Sequence, residues 1–228
     1  MQDLQTRLRA AVADGLIPGV LLLLEHEPVI TLGSRGKPAD LCDLATIEAR
    51  GVHIEPSDRG GQTTLHAPGQ LVSYPIVPIP HRNLGAYVRD LEETLLVLLA
   101  GLGISGRRRE GRPGLYVKGD KIASVGLRCQ RWVASHGTSL NVNVDLSLFD
   151  LIVSCGEPQL QQTSLQAVTG LTFDVDRVKA LYVQAFREVF GWELRPLRPL
   201  SYEQVEAEVP TAGFEPATPG SGGQCSIP

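Results

Sequence analysis

Leu115-Tyr116-Val117-Lys118-Gly119-Asp120-Lys121-Ile122-Ala123-Ser124-Val125-Gly126-Leu127-Arg128-Cys129-Gln130-Arg131-Trp132-Val133-Ala134-Ser135-His136-Gly137-Thr138-Ser139-Leu140-Asn141-Val142-Asn143-Val144 is the stretch that decides the fold class. Its β-rich runs, 115–117, 121–128 and 132–136, are separated by short polar connections and read as a strand meander; 140–144 reads as a further strand. Upstream, Leu84, Val88, Leu91, Leu95, Leu98 and Leu102 fall on one stripe of a helix over 84–102, with Asp90, Glu92 and Glu93 early and Gly103 after it. Downstream, Val178, Leu181, Val183, Ala185, Phe186 and Val189 mark an amphipathic helix over 175–190 that Gly191 ends. Towards the N-terminus, residues 2–14 carry helical spacing. Residues 20–24 and 29–32 read as two strands around a tight connection, 33–37 as loop, 44–50 as a short helix, 52–54 and 71–79 as strands, and 59–70 as irregular. Consecutive strands with helices inserted between groups predict an α+β domain, a mixed β-sheet with packed helices.

The chain has 228 residues, enough for one large core. Its 43% hydrophobic and 20% charged content is that of an ordinary globular protein. We expect one domain over 1–196 and a disordered tail over 197–228, with one short helix near 202–208. No run approaches the ~20 apolar residues of a membrane span, and residues 1–5 lack the basic and apolar regions of a signal peptide. A cytoplasmic protein is therefore the expectation and, with no coiled-coil pattern in the sequence, a monomer. A net charge of −4 disfavours nucleic acid as a partner, although Arg107, Arg108, Arg109 and Arg112 form a local cationic cluster, read most simply as a solvated loop and, as a hypothesis, as a docking point for an acidic protein partner. Cys42, Cys129, Cys155 and Cys225 include no Cys-x-x-Cys pair, so neither a disulfide framework nor a metal site is expected.

Two residues suit chemistry together. A thiol and an amine meeting in a cleft make a nucleophile and a proton acceptor, which points to acyl transfer through an enzyme thioester. Cys155 and Lys121 are the candidates, and either alone would pass for a small core residue or a solvated strand lysine. Arg59-Gly60-Gly61-Gln62-Thr63-Thr64-Leu65-His66 is a glycine-paired loop whose backbone can approach a ligand closely. It lacks the spacing of a Walker-type phosphate loop. His66 and His136 read as hydrogen-bonded residues that shape a pocket.

Four blocks, Arg59-Gly60-Gly61…His66-x-Pro68-Gly69-Gln70, Lys121-Ile122-Ala123-Ser124-Val125-Gly126, His136-Gly137-x-x-Leu140-Asn141 and Cys155-Gly156, resemble in order and spacing the octanoyl (lipoyl) transferases of lipoate biosynthesis. The resemblance covers roughly residues 16 to 195. It implies the mixed fold shared with biotin and lipoate protein ligases, Cys155 as the acyl-thioester nucleophile, and Lys121 as the partner that favours its thiolate and accepts protons. It also implies substrate contacts from Arg59, Gly60, Gly61, Gln62, Thr63, Thr64, Leu65, His66, Ser124, Val125, Gly126, Gly137, Thr138 and Ser139, with His136 and Asn141 shaping the pocket. The implied donor is octanoyl-acyl carrier protein. The implied acceptors are lysines on lipoyl domains of 2-oxoacid dehydrogenases and the glycine cleavage H protein, with no cofactor. Ala67, Ser154 and the Thr138-Ser139 pair depart from the family's usual glycine, proline and more apolar pair.

An amine and a thiol in contact titrate as one pair, as thiol plus amine or thiolate plus ammonium. Exchanging one thioester for another is nearly thermoneutral, and forming an amide from it is downhill, so the route needs no ATP. Backbone amides of 124–126 or of the loop after Gly60 are the candidate oxyanion donors. An ATP-dependent lipoate or biotin protein ligase and a non-catalytic carrier-binding homologue are the alternatives.

Overall fold

The computed structural model describes residues 1–195 and the short strand 224–225. Its helices are α1 (Gln2–Ala13), α2 (Leu44–Ala49), α3 (Leu84–Gly101), α4 (Leu165–Thr169) and α5 (Val175–Phe190). Its strands are β1 (Val20–Leu24), β2 (Val29–Leu32), β3 (His53–Pro56), β4 (Thr63–His66), β5 (Gln70–Ile76), β6 (Arg107–Arg109), β7 (Arg112–Val117), β8 (Asp120–Gln130), β9 (Val133–Asn141) and β10 (Gln224–Cys225). The large sheet runs β1-β5-β9-β8-β7-β6, with β10 against the end of β8, and a small sheet runs β3-β2-β4. Every ladder of the large sheet is antiparallel; in the small one β2 pairs β3 in parallel and β4 antiparallel.

The meander predicted over 115–136 is present as β7-β8-β9. The runs at 132–136 and 140–144, read as separate strands, form one strand through Gly137, where a Cβ would overlap the Ser73 carbonyl oxygen of β5. Strands at 20–24 and 29–32 exist but do not pair with each other: β1 joins β5 and β2 joins the small sheet. The stretch 59–70, read as irregular, contains β4, and the arginine loop contains the edge strand β6, all three of whose residues are exposed. The expectations of a disordered tail and of a helix near 202–208 fall outside the described residues, apart from β10.

Side chains alternate across a strand, so β9 sorts the helices into two layers. Ala134 and Leu140 pack with Leu91, Leu95 and Leu99 of α3 and Tyr182 and Phe186 of α5. Val133 instead packs with Leu4, Leu8 and Val12 of α1, which therefore lies on the opposite face. Asn83 caps α3 by accepting from Ala86 N, and Asp174 caps α5 by accepting from Asp176 N. A second core, with Ile30, Ile47, Leu65, Val144 and Leu151, fills the space between the small sheet, α2 and the turns after β9. Among the described residues no helix is long and apolar enough to cross a membrane.

Candidate active site

Lys121 enters β8 at the end facing away from β10 and is only 3% exposed. Its backbone is held on both sides. The N–H donates to Gln161 O and the carbonyl accepts from Thr163 N, each at 2.9 Å. The ammonium donates to Pro113 O at 3.3 Å and stands 5.6 Å from the ring centre of Tyr116. Gly114 makes this position possible. Its φ of +123° is unfavourable for any side chain, and a Cβ there would overlap Ala123 O and come within 3.0 Å of Lys121 Cε.

β7 leaves β8 after Ser124, and the glycine-paired loop takes over the vacated edge: Gly60 N donates to Leu127 O at 2.7 Å. Gly126 gives the loop room, since a Cβ there would sit 3.3 Å from Gly60 O. Arg59, 7% exposed, donates to Thr31 O at 2.7 Å and to Thr31 Oγ1 at 2.8 and 3.1 Å, so its guanidinium also builds the loop. Thr63 Oγ1 donates to Asp40 Oδ2 at 2.7 Å, and Asp40 O accepts from Val153 N at 2.7 Å. The same short element thus braces both the loop and the chain entering the 3-10 turn Ser154–Gly156 that carries Cys155. Gly156, with φ +67°, lies under the Gln62 amide, where a Cβ would meet the amide oxygen and nitrogen at 2.5 Å.

These elements enclose a cavity of about 730 Å³. Its walls include residues 59–64, His66, Lys121, 124–126 and 136–139, so nearly all of the residues the sequence singled out come together, and Glu157, two residues after Cys155, borders it too. Two do not line it. Leu65 is fully buried in the second core, because alternation along β4 turns it away from its neighbours. Asn141 is a tie: it donates to Thr163 O at 2.9 Å and accepts from Gln70 Nε2 at 2.8 Å. Through Thr163 this tie reaches the Lys121 carbonyl.

Gln70 Oε1 lies 2.6 Å from His66 Nδ1, and an amide oxygen only accepts, so Nδ1 carries the imidazole proton. Burial pushes the His66 pKa down to about 3, against a weaker opposing effect of the Gln70 bond, and the ring is neutral. His136 Nε2 lies 2.6 Å from Asp58 Oδ1. That bond first, and then the His136, Arg128 and Arg9 charges, hold the Asp58 carboxyl below the usual carboxylate range against desolvation. His136 takes a left-handed φ of 57°, and its N–H donates to Gln5 Oε1 of α1 at 2.7 Å. Tyr74 packs edge-on to His136 and lies 2.8 Å from His26 Nε2, its hydroxyl pKa pushed up by burial.

Gln5, Arg9, His26, Asp58 and Tyr74 were not singled out from sequence. Their partners lie tens of residues or more away, and no local pattern announces them. Thr138 Oγ1 lies 3.3 Å from the Tyr182 hydroxyl. Among the described residues no three His, Cys, Asp or Glu side chains converge to hold a metal ion.

Residues 2–187 match the lipoyl protein ligase A/B catalytic domain. The octanoyltransferase of Rubrobacter xylanophilus is 42% identical over 192 residues, 83% of this chain and 87% of that protein. The octanoyltransferase of Chloroflexus aurantiacus is 43% identical over 199 residues, 85% of this chain and 89% of that protein. The chain belongs to the octanoyltransferase family. It is accordingly an enzyme of the transferase type, on the lipoate protein ligase fold. The structure superposes on lipoate-protein ligase A bound with ATP with a TM-score of 0.73, at 15% identity, covering 90% of this chain and 87% of the ligase. It superposes on the bi-partite lipoate protein ligase of Thermoplasma acidophilum with a TM-score of 0.71, at 15% identity, covering 90% and 85%. At such identities the ligase likeness concerns the fold alone, and the transferase likeness carries the family.

Proposed function

We propose that the protein moves an octanoyl group from acyl carrier protein to a lysine of a lipoyl domain, by way of a thioester on Cys155. The observation that carries the reading is one cavity bordered by buried Lys121 and also by Gln62, whose amide lies against Gly156, and by Glu157, which follows the turn bearing Cys155. In the first step the Cys155 thiolate attacks the donor carbonyl. A C–S bond to the enzyme forms, the C–S bond to the pantetheine arm breaks, and the departing thiolate takes a proton from the Lys121–Cys155 pair. In the second step the lipoyl-domain amine attacks the acyl-enzyme. A C–N bond forms, the enzyme C–S bond breaks, and the amine's proton passes to Lys121 or the released thiolate.

Gly60's amide is already engaged with Leu127 O, so on this reading the oxyanion donors come from 61–64 or 124–126. An octanoyl chain would gain up to ~0.8 kcal/mol for each methylene it buries. Acceptors on this reading are the lipoyl domains of 2-oxoacid dehydrogenases and of the glycine cleavage H protein.

The test is transfer from octanoyl carrier protein to a purified lipoyl domain without ATP, run beside free octanoate with ATP. The reading expects product only from the carrier, and Lys121→Ala should lower the rate ~10²-fold or more, the scale of a lost general base. Product from octanoate and ATP alone would make the protein a ligase. Undiminished transfer by Lys121→Ala would remove the lysine from the chemistry.

A further inference from the structure

The arginine cluster divides into members with different employment. Arg108 is held by Glu92 at 3.1 Å and by Glu93 and the Arg89 carbonyl, which fixes the hairpin of β6 and β7 to α3. Arg109 and Arg112, each about half exposed, instead converge from two strands on one carboxylate, Glu157, at 3.5 and 3.3 Å. Charge-assisted hydrogen bonds are usually ~2.7–2.9 Å, and Glu157 Oε1 is buried with no hydrogen-bond donor. The carboxylate thus sits between two guanidinium groups without satisfying their forks. Arg112 and Glu157 border the main cavity whose inner wall holds Lys121, while Arg109 and Glu157 border a second hollow of about 510 Å³ alongside. The clasp therefore stands at the rim.

We propose that Arg109 and Arg112 form an anion clasp for the phosphodiester at the base of the acyl donor's pantetheine arm. This rests on the acyl-transfer reading above. Two guanidinium groups meeting at one point suit a single compact oxyanion, and their paired donors match phosphate oxygens as an ammonium does not. A phosphate at the rim leaves the arm to run inward, with its thioester toward Lys121. Glu157 is the internal placeholder: it keeps the clasp assembled and yields when a more strongly bonding anion arrives. Because the remaining arginines are committed or lie outside the clasp, recognition is by one group and not by an extended basic face.

The experiment compares octanoyl-phosphopantetheine with octanoyl-pantetheine, which share the thioester and lack any carrier protein, and reads kcat/KM for enzyme acylation. Wild type should prefer the phosphorylated donor about tenfold, as two half-exposed ion pairs would supply. In Arg109→Ala/Arg112→Ala the preference should collapse to near unity. Glu157→Gln, which opens the clasp without removing it, should lower KM for the phosphorylated donor. A wild type indifferent to the phosphate, or a double variant that slows equally on both donors, would overturn the proposal, the latter by showing that the arginines only hold the turn. Acylation by neither donor in wild type would sink the acyl-enzyme reading itself and this proposal with it. Octanoyl carrier protein as a third donor separates the sources: a loss in the double variant confined to the carrier would place the contact on its surface and refute the phosphate clasp.

Discussion

Below neutral pH the fold should lose stability through one imidazole, and the amount can be worked from its burial. His66 is buried with its proton on Nδ1, and its pKa falls from 6.5 to about 3. At pH 5.5 about ten-elevenths of the unfolded chains carry a proton on this ring and folded chains carry almost none. The unfolded state binds more protons, so stability rises with pH across this window and is lost as pH falls from 6.5 towards 3. Between pH 7.5 and 5.5 the loss is about 1.4 kcal/mol, and it depends only on the folded value lying well below 5.5. His26, also pushed down by burial, adds a loss of the same sign. Asp58 does not enter: its depressed carboxyl stabilises the fold above the unfolded value of 3.8 and loses that contribution only at lower pH. Urea unfolding of wild type and His66→Gln at both pH values isolates the term. Wild type should lose about 1.4 kcal/mol more than the variant on acidification, and identical losses would show that His66 is not held neutral by the fold.

Other expectations concern the supports of Lys121. Gly114→Ala should cost roughly 3 kcal/mol, combining an unfavourable φ with overlap at Ala123 O, and should slow acyl transfer because Lys121 Cε is its next neighbour; near-wild-type urea stability would contradict the assignment. Asn141→Ala removes the bonds to Gln70 Nε2 and Thr163 O, and should cost about 2 kcal/mol while speeding amide hydrogen exchange at Thr163. Exchange unchanged there would show that the tie does not hold the Lys121 strand.

The elements visible in sequence were those whose local pattern agrees with their tertiary role. The helix at 175–190 has an apolar stripe that meets α3 and the large sheet, so periodicity placed it and Gly191 marked its end. The edge strand β6 was hidden because its three residues are arginines, retained there by Glu92, Glu93 and Glu157 and not by β-propensity. β4 was hidden by the glycines and proline around it, and β1 and β2 looked like a hairpin because nothing local shows that each finds its partner later in the chain. Within the site, glycine-paired loops and short motifs were legible, and 59–64 with 124–126 and 136–139 do line one cavity. Leu65 belonged to a legible block but faces the core, since motif membership ignores strand alternation. Asp58 bonds across 78 residues to His136, and Gln5 across 131. Buried polar partners of that kind exist only once the chain is folded.

Intact-mass spectrometry of the protein mixed with octanoyl carrier protein, without ATP and without a lipoyl domain, tests the central claim most directly. Wild type should gain the mass of one octanoyl group, the adduct should map to Cys155 and be released when a lipoyl domain is then added, and Cys155→Ser should gain nothing. An adduct that persists in Cys155→Ser, or wild-type protein that stays unmodified in this mixture yet octanoylates a lipoyl domain added afterwards, would contradict that claim.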